Sequence, residues 1–260
     1  MTQSFDPGKA ARYLLDAHDS RATYCNLPAD IAPRTIADAY AAQQAFARLL
    51  APRQGRIAGV KIATTTKVMQ ELMGIDHPCG GMIFERSIRV SPAEIRLSDY
   101  VNVMVECELA VRLGRDLPER RSPYTGQNVG SAVAGAMAAF ELIEDRNADY
   151  KQTNVLSLIA DNCWNAGVVL GSAVPFAIAR SLAGVAGRLE IDGRESHSGL
   201  TDDPLATLAW VANLAVEHGR PLTAGMIVIT GSVIPTLPIQ AGGRLDFRLD
   251  GIGATTLTAT

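Results

Sequence analysis

Three glutamates and one lysine are the side chains whose types and spacing suggest chemistry. Glu106 and Glu108 stand two apart in Val105-Glu106-Cys107-Glu108-Leu109-Ala110, and Glu141 lies in Ala138-Ala139-Phe140-Glu141-Leu142-Ile143-Glu144. On a strand, residues two apart leave the same face, with centres about 7 Å apart. Carboxylates crowded into a partly buried place repel one another and lose hydration, and a cation relieves both costs. A set of oxygen ligands selects a hard ion, Mg²⁺ or Mn²⁺. The Glu-x-Glu pattern alone fits an amphipathic strand with two solvated glutamates equally well. Glu141 tips the balance, because an acid among such apolar neighbours needs a partner. Glu144 and Asp145 end that stretch and are expected to be exposed or paired with Arg146. Lys61, in Ala58-Gly59-Val60-Lys61-Ile62-Ala63, either snorkels to the surface or points into a polar site. Beside a carboxylate–metal centre it would hold a substrate carboxylate or transfer a proton, with burial lowering its pKa.

The elements that must position these groups can be read from periodicity. Residues 102–113 alternate strictly, with Val103, Val105, Cys107, Leu109, Val111 and Leu113 on one face and Met104, Glu106, Glu108, Ala110 and Arg112 on the other. The spacing predicts a strand over 57–62 and a helix over 66–73 closed by Gly74. Pro78, Gly80 and Gly81 predict a loop over 76–81. The small apolar run 131–139 suits a tightly packed helix, leading into buried strands at 140–144 and 166–170. Thr35 and Asp38 have capping-box spacing ahead of a helix through Tyr40, Phe46 and Leu50. Asp192-Gly193 predicts a hairpin turn. Asp203, Pro204 and Gly219 bracket an amphipathic helix with Leu205, Leu208, Ala209 and Ala212 on one face. Strands are expected at 226–230 and 244–249. Helices first, then strands with interspersed helices, predict an α+β protein on a mixed sheet. The expected organisation is one catalytic domain over 1–260, with a mostly helical region at 1–75 and a β-rich metal-binding core at 76–260.

Composition bounds the function. With 47% hydrophobic and 20% charged residues, the 260-residue chain has the profile of a globular protein with a sizeable core. A net charge of −3 without a basic cluster argues against nucleic acid. No apolar stretch approaches the roughly 20 residues that span a bilayer. Residues 1–9 lack the apolar core of a signal peptide, so a cytoplasmic location is expected. Cys25, Cys79, Cys107 and Cys163 form no Cys-x-x-Cys pair, and His18, His77, His197 and His218 lack ligand spacing. The cysteines are therefore read as reduced and buried, and a Cys/His zinc site is disfavoured.

Together these stretches resemble the fumarylacetoacetate hydrolase superfamily, and within it the 2-oxopent-4-enoate hydratase and 4-oxalocrotonate decarboxylase family. Gly59-Val60-Lys61-Ile62 with Thr64-Thr65 is similar to the family's G-x-K-[VIM]-G-L-T segment, with Ala63 in place of its glycine. Val105-Glu106-Cys107-Glu108-Leu109-Ala110 resembles its E-x-E-[IL]-A strand, and Phe140-Glu141-Leu142-Ile143 its third-ligand strand. Ala160-Asp161-Asn162 followed by Gly167-Val168-Val169-Leu170-Gly171, and Gly225-Met226-Ile227-Val228-Ile229-Thr230-Gly231, also match, whereas residues 197–204 resemble its G-h-P loop only loosely. The resemblance implies a mixed β-sheet roll of the fumarylacetoacetase C-terminal type behind an N-terminal helical region. It implies Mg²⁺ or Mn²⁺ on Glu106, Glu108 and Glu141, a small 2-oxo acid substrate, Ser232 in the substrate-binding wall, and a homo-oligomer. Where many of these hydratases have an aspartate in P-D-[FY]-G, this chain has Pro78-Cys79-Gly80-Gly81. A free thiol has a pKa of about 8.5, a poor replacement. His77 could titrate near neutrality and take the acid–base role, or merely cap the loop.

The expected reaction is metal-dependent hydration of a 2-hydroxy-2,4-dienoate to a 4-hydroxy-2-oxo acid in aromatic catabolism. A decarboxylase of a 4-oxalocrotonate-like acid would use the same metal and framework. An acylpyruvate-type C–C hydrolase is the third enzyme reading, although no His/Glu spacing for activating water is found near the N-terminus. The non-enzyme alternative is a catalytically silent partner subunit.

Overall fold

The computed structural model describes residues 4–177 and 182–260. In chain order its elements are α1 (Pro7–Asp19), α2 (Ile36–Gln54), β1 (Ile57–Ala63), α3 (Lys67–Met73), β2 (Cys79–Phe84), β3 (Ile88–Val90), β4 (Ala93–Ile95), β5 (Val103–Leu113), α4 (Gly126–Val129) and β6 (Val133–Glu144). There follow α5 (Val155–Ala160), β7 (Asn165–Leu170), β8 (Val174–Pro175), β9 (Ala186–Ile191), β10 (Arg194–Leu200), α6 (Pro204–Glu217), β11 (Ile227–Pro238), β12 (Arg244–Leu249) and β13 (Gly253–Ala259). The helices start where the sequence supplies acceptors for free amides. Asp6, Thr35, Thr66 and Asp203 cap α1, α2, α3 and α6 through their side-chain oxygens. Gly74 closes α3 at φ 67°.

Two sheets form the body. The larger runs β2-β1-β11-β5-β6-β7-β3, with β8 attached to β6, and the smaller runs β10-β9-β12-β13-β4. Parallel pairs β1/β11, β3/β7 and β4/β13 among antiparallel neighbours make both sheets mixed, as expected. Val105, Cys107, Leu109 and Val111 of β5 share one core with Phe140 of β6 and with Leu245, Phe247 and Leu257 of the smaller sheet. The apolar face of β5 is therefore core, which turns the alternate residues Glu106 and Glu108 the other way. The N-terminal helices bring Ala10, Leu14, Ala42 and Phe46 into a satellite cluster with Ala160 of α5. Among the described residues no helix is long and apolar enough to cross a membrane.

Several sequence expectations need correction. Residues 133–139 are not helical but form the first half of β6, a strand buried along almost its whole length between β5 and β7. Burial on both faces removes the alternation that marks a strand, and the small residues suit close packing rather than a helix. Gly80 and Gly81 lie inside β2, not in a loop. A Cβ at Gly80 would come within 2.6 Å of Leu214 Cδ2, and one at Gly81 within 2.8 Å of Asn162 O, so these glycines permit close approach. Residues 197–200, read as loop, belong to β10, and β11 continues well past 230. Asp145 is buried, accepting from Asn102 Nδ2 and Tyr150 Oη, and Glu144 accepts from the amides of Val101 and Asn102. Arg146 pairs instead with Asp161 at 2.5 Å. All four cysteines are free; Cys79, Cys107 and Cys163 are buried, whereas Cys25 is exposed.

Candidate metal centre

Adjacent central strands assemble the acidic cluster. In the antiparallel β5/β6 pair Glu106 is the register partner of Glu141, and Glu108 lies opposite Ala139 on one side and Ser232 of β11 on the other. One carboxylate oxygen from each glutamate falls within 4.8 Å of the other two. Glu108 and Glu141 are buried and Glu106 half-buried. Each has one oxygen tied to a donor: Glu106 Oε1 accepts from Thr236 Oγ1 at 2.5 Å, Glu108 Oε2 from the Gly231 amide at 2.8 Å, and Glu141 Oε1 from Asn165 Nδ2 at 2.8 Å. Glu141 Oε2 is buried with no hydrogen-bond partner. Three oriented carboxylates with such an orphaned oxygen fit a hard divalent cation, since donors on one oxygen fix the direction of the other.

The charge balance favours a cation too. Burial, then Glu106 and Glu141, hold the Glu108 carboxyl well above the ordinary range, despite Lys61 and the Gly231 amide. Burial likewise pushes Glu141 up to about 7, although Lys61 Nζ is only 3.0 Å from its Oε1. Lys61 does not follow the sequence expectation. Burial alone would lower it, but the Glu141 and Glu106 carboxylates hold it above its usual value. The two partners thus move as if the pair helped one and failed the other. The imbalance is physical: one ammonium serves three carboxylates, so the lysine is oversupplied with counter-charge while the glutamates are short of it.

Lys61 Nζ also donates to Cys163 O at 3.4 Å. That carbonyl belongs to a left-handed turn, with φ of 53° at Asn162, 48° at Cys163 and 57° at Trp164. Non-glycine residues resist this region, at about 1–3 kcal/mol each, so the turn must be held. Asn162 accepts from the Met82 amide at 2.7 Å and donates to its carbonyl at 2.9 Å. Asp161, buried, receives His18 Nε2 at 2.6 Å and Arg146 Nη2 at 2.5 Å. The Ala-Asp-Asn motif therefore clamps the turn that meets Lys61.

A cavity of about 440 Å³ opens beside Lys61 and Glu106, with Met69, Met73, Ile143, Leu158, Tyr150 and Trp164 on its apolar side. Among the described residues, Lys61 and Glu106 are the only charged ones of its lining. Ser232 also lines it, and its hydroxyl donates to Ile234 O, so that its oxygen has only lone pairs left to offer. His77 is not among the residues of this lining, and its Nδ1 lies 2.7 Å from Pro78 O. Cys79 is buried in β2 beside Ala63, and burial raises its thiol pKa. The structure thus gathers Glu106, Glu108, Glu141, Lys61 and Ser232 and leaves His77 aside. Sequence reading missed Thr236 and Asn165. Thr236 reaches Glu106 because β11 shifts register against β5 repeatedly beyond Ile229, which no alternation rule anticipates. Asn165 followed a motif that was noticed, but only the β6/β7 pairing brings it to Glu141.

The fumarylacetoacetate (FAA) hydrolase C-terminal family model matches residues 60–259. The chain belongs to this family. As an FAA hydrolase family member it is similar to the 2-keto-4-pentenoate hydratase of Burkholderia vietnamiensis strain G4, 32% identical over 226 residues and 85% of each chain. It is 30% identical over 253 residues to the TodF product hydratase of Pseudomonas putida strain F1, covering 95% of this chain and 93% of that one. The fold is shared with the 4-oxalocrotonate decarboxylase from Pseudomonas putida G7 complexed with magnesium and adipate, at a TM-score of 0.89 and 22% identity over 98% of this chain and 97% of that chain. The expected roll behind N-terminal helices is the observed fold.

Proposed function

We propose that this FAA hydrolase family chain is a divalent-metal-dependent hydro-lyase that adds water to a 2-hydroxy-2,4-dienoate, giving a 4-hydroxy-2-oxo acid. The observation that carries this reading is the cluster of Glu106, Glu108 and Glu141, which meets through Glu106, beside Lys61, a cavity with no other cation among its described lining residues. A bound Mg²⁺ or Mn²⁺ would supply a positive charge to hold a 2-oxo acid and favour negative charge at its 2-oxygen. Lys61 has three N–H donors; Glu141 Oε1 and Cys163 O take two, and no other described residue takes the third, which would serve a substrate oxygen. With a bound cation offsetting the carboxylates that hold its pKa up, it would be able to deliver a proton from there as the dienol becomes a ketone. Ser232, as an acceptor, suits an enol hydroxyl. Tyr150, whose hydroxyl donates to Asp145 at 3.1 Å, borders the apolar side where the far end of the dienoate would lie.

The same cavity bears on the choice between hydration and decarboxylation of a dicarboxylate. Beyond Lys61 the described lining holds no cation to pair with a second carboxylate, which favours a monocarboxylate. The hydratase names of the relatives support the same choice, and homo-oligomeric assembly in the cytoplasm is part of the proposal. The test is turnover of 2-hydroxypenta-2,4-dienoate and of 4-oxalocrotonate with Mg²⁺, Mn²⁺ or EDTA, read by product mass. Metal-dependent gain of water by the dienoate is expected. Loss of CO₂ from the dicarboxylate with an inert dienoate would overturn hydration, and metal binding without any turnover would favour a silent partner subunit.

A further inference from the structure

We infer that a second cavity, between α6 and the β1–β2 pair, is a binding site for a small carboxylic acid with an apolar tail, its carboxylate meeting Arg220. The cavity has a volume of about 250 Å³, and Val60, Val211, Leu214, Leu222 and Met226 give it apolar walls. It lies on the reverse side of β1 from the metal centre: Val60 faces this cavity and its neighbour Lys61 the other.

Arg220 sets the class of ligand. Among the described residues its Nε is buried with no hydrogen-bond partner, and its Nη1 meets only the thioether of Met82, at 2.8 Å. A thioether is a weak acceptor, so a half-buried guanidinium is left undersatisfied. No described carboxylate forms an ion pair with Arg220 or with Arg48, whose charge acts on it from α2. Burial, followed by Arg48, lowers the Arg220 pKa, as expected for a cation lacking a counter-ion. The Tyr40 hydroxyl accepts from the Gly80 amide at 2.9 Å, and the described residues offer its proton no acceptor. Polar groups that are mostly donors, at one end of an apolar hole, ask for an anionic head and a hydrocarbon tail. The volume, just below the about 300–1,000 Å³ of drug-sized sites, restricts the tail to a short one.

The test is calorimetric titration of the full chain in EDTA with octanoate, and with 1-octanol as the uncharged probe. Arg220 lines this cavity and not the one beside the metal centre, so octanoate that loses its preference in an Arg220 variant is bound here and not at the glutamates. One saturable octanoate site per chain is expected, preferred over octanol by about tenfold, the usual scale of one charge-assisted hydrogen bond. The preference should vanish in Arg220→Met, and binding of both probes should weaken in Ala215→Phe, which fills the cavity. Absence of saturable binding, or equal affinity of the native protein for the two probes, overturns the inference without any variant. Unchanged octanoate binding in a folded Arg220→Met overturns it as well.

Discussion

Removing the divalent ion and raising the pH should destabilise the protein together, because the crowded carboxylates tolerate their charges only with a cation present. Glu141 has a folded-state pKa of about 7 against an ordinary 4.5. Stability from such a raised group is present in full below 4.5 and is lost as the pH rises through 7. At ~1.4 kcal/mol per pH unit, that span is worth about 3 kcal/mol for this fully buried side chain. Glu108 moves the same way. Unfolding entropy of about 2.1 cal/mol/K per residue over 260 residues converts 3 kcal/mol into a fall in Tm of about 6 °C between pH 5 and pH 8 in EDTA. An ion at a hundred times its Kd returns about 2.7 kcal/mol, or about 5 °C, at pH 8. At pH 5 the same ion must displace a proton from Glu141, its affinity falls about a hundredfold, and the gain shrinks to about 1 °C. Thermal melts with EDTA, Mg²⁺ and Mn²⁺ at the two pH values read both effects. Equal metal-induced shifts at pH 5 and pH 8, or no shift at pH 8, would refute the argument.

Three further outcomes are expected. Lys61→Met should lower kcat by roughly a hundredfold or more, the scale of a lost proton-transfer group, while calorimetry still finds the divalent ion bound. Asp161→Asn strips the buried Arg146 of its counter-charge and should cost about 3–5 kcal/mol, seen as a fall in Tm by denaturation at constant pH. His77→Ala should leave kcat within about twofold, because the side chain lies outside the cavity and makes a local hydrogen bond; a large loss in steady-state assays would return His77 to the reaction.

Much of the site was legible because strands write their faces into the sequence. The period of two placed Glu106 and Glu108 together, and an acid in an apolar run marked Glu141 as needing a partner. Lys61 stood out for the same reason. What stayed hidden depends on contacts between distant segments. The first half of β6 resembled a helix because a strand covered on both sides has no polar face to display. Gly80 and Gly81 read as breakers, although their role is to let Leu214 and Asn162 approach β2. Thr236 needed a bulged β11, and the direction of the Lys61 shift needed a count of the carboxylates around it, neither of which is a local property.

Pairing of Glu106 with Glu141 across β5 and β6 makes ion affinity a gauge of strand alignment. Side chains alternate along a strand, so a slip of one residue would carry Glu141 to the opposite face and its apolar neighbours into the acidic one. A misaligned chain would then hold only two of the three ligands. The ion therefore discriminates between alignments, and its tight uptake during refolding would mark those molecules in which the two central strands have met correctly.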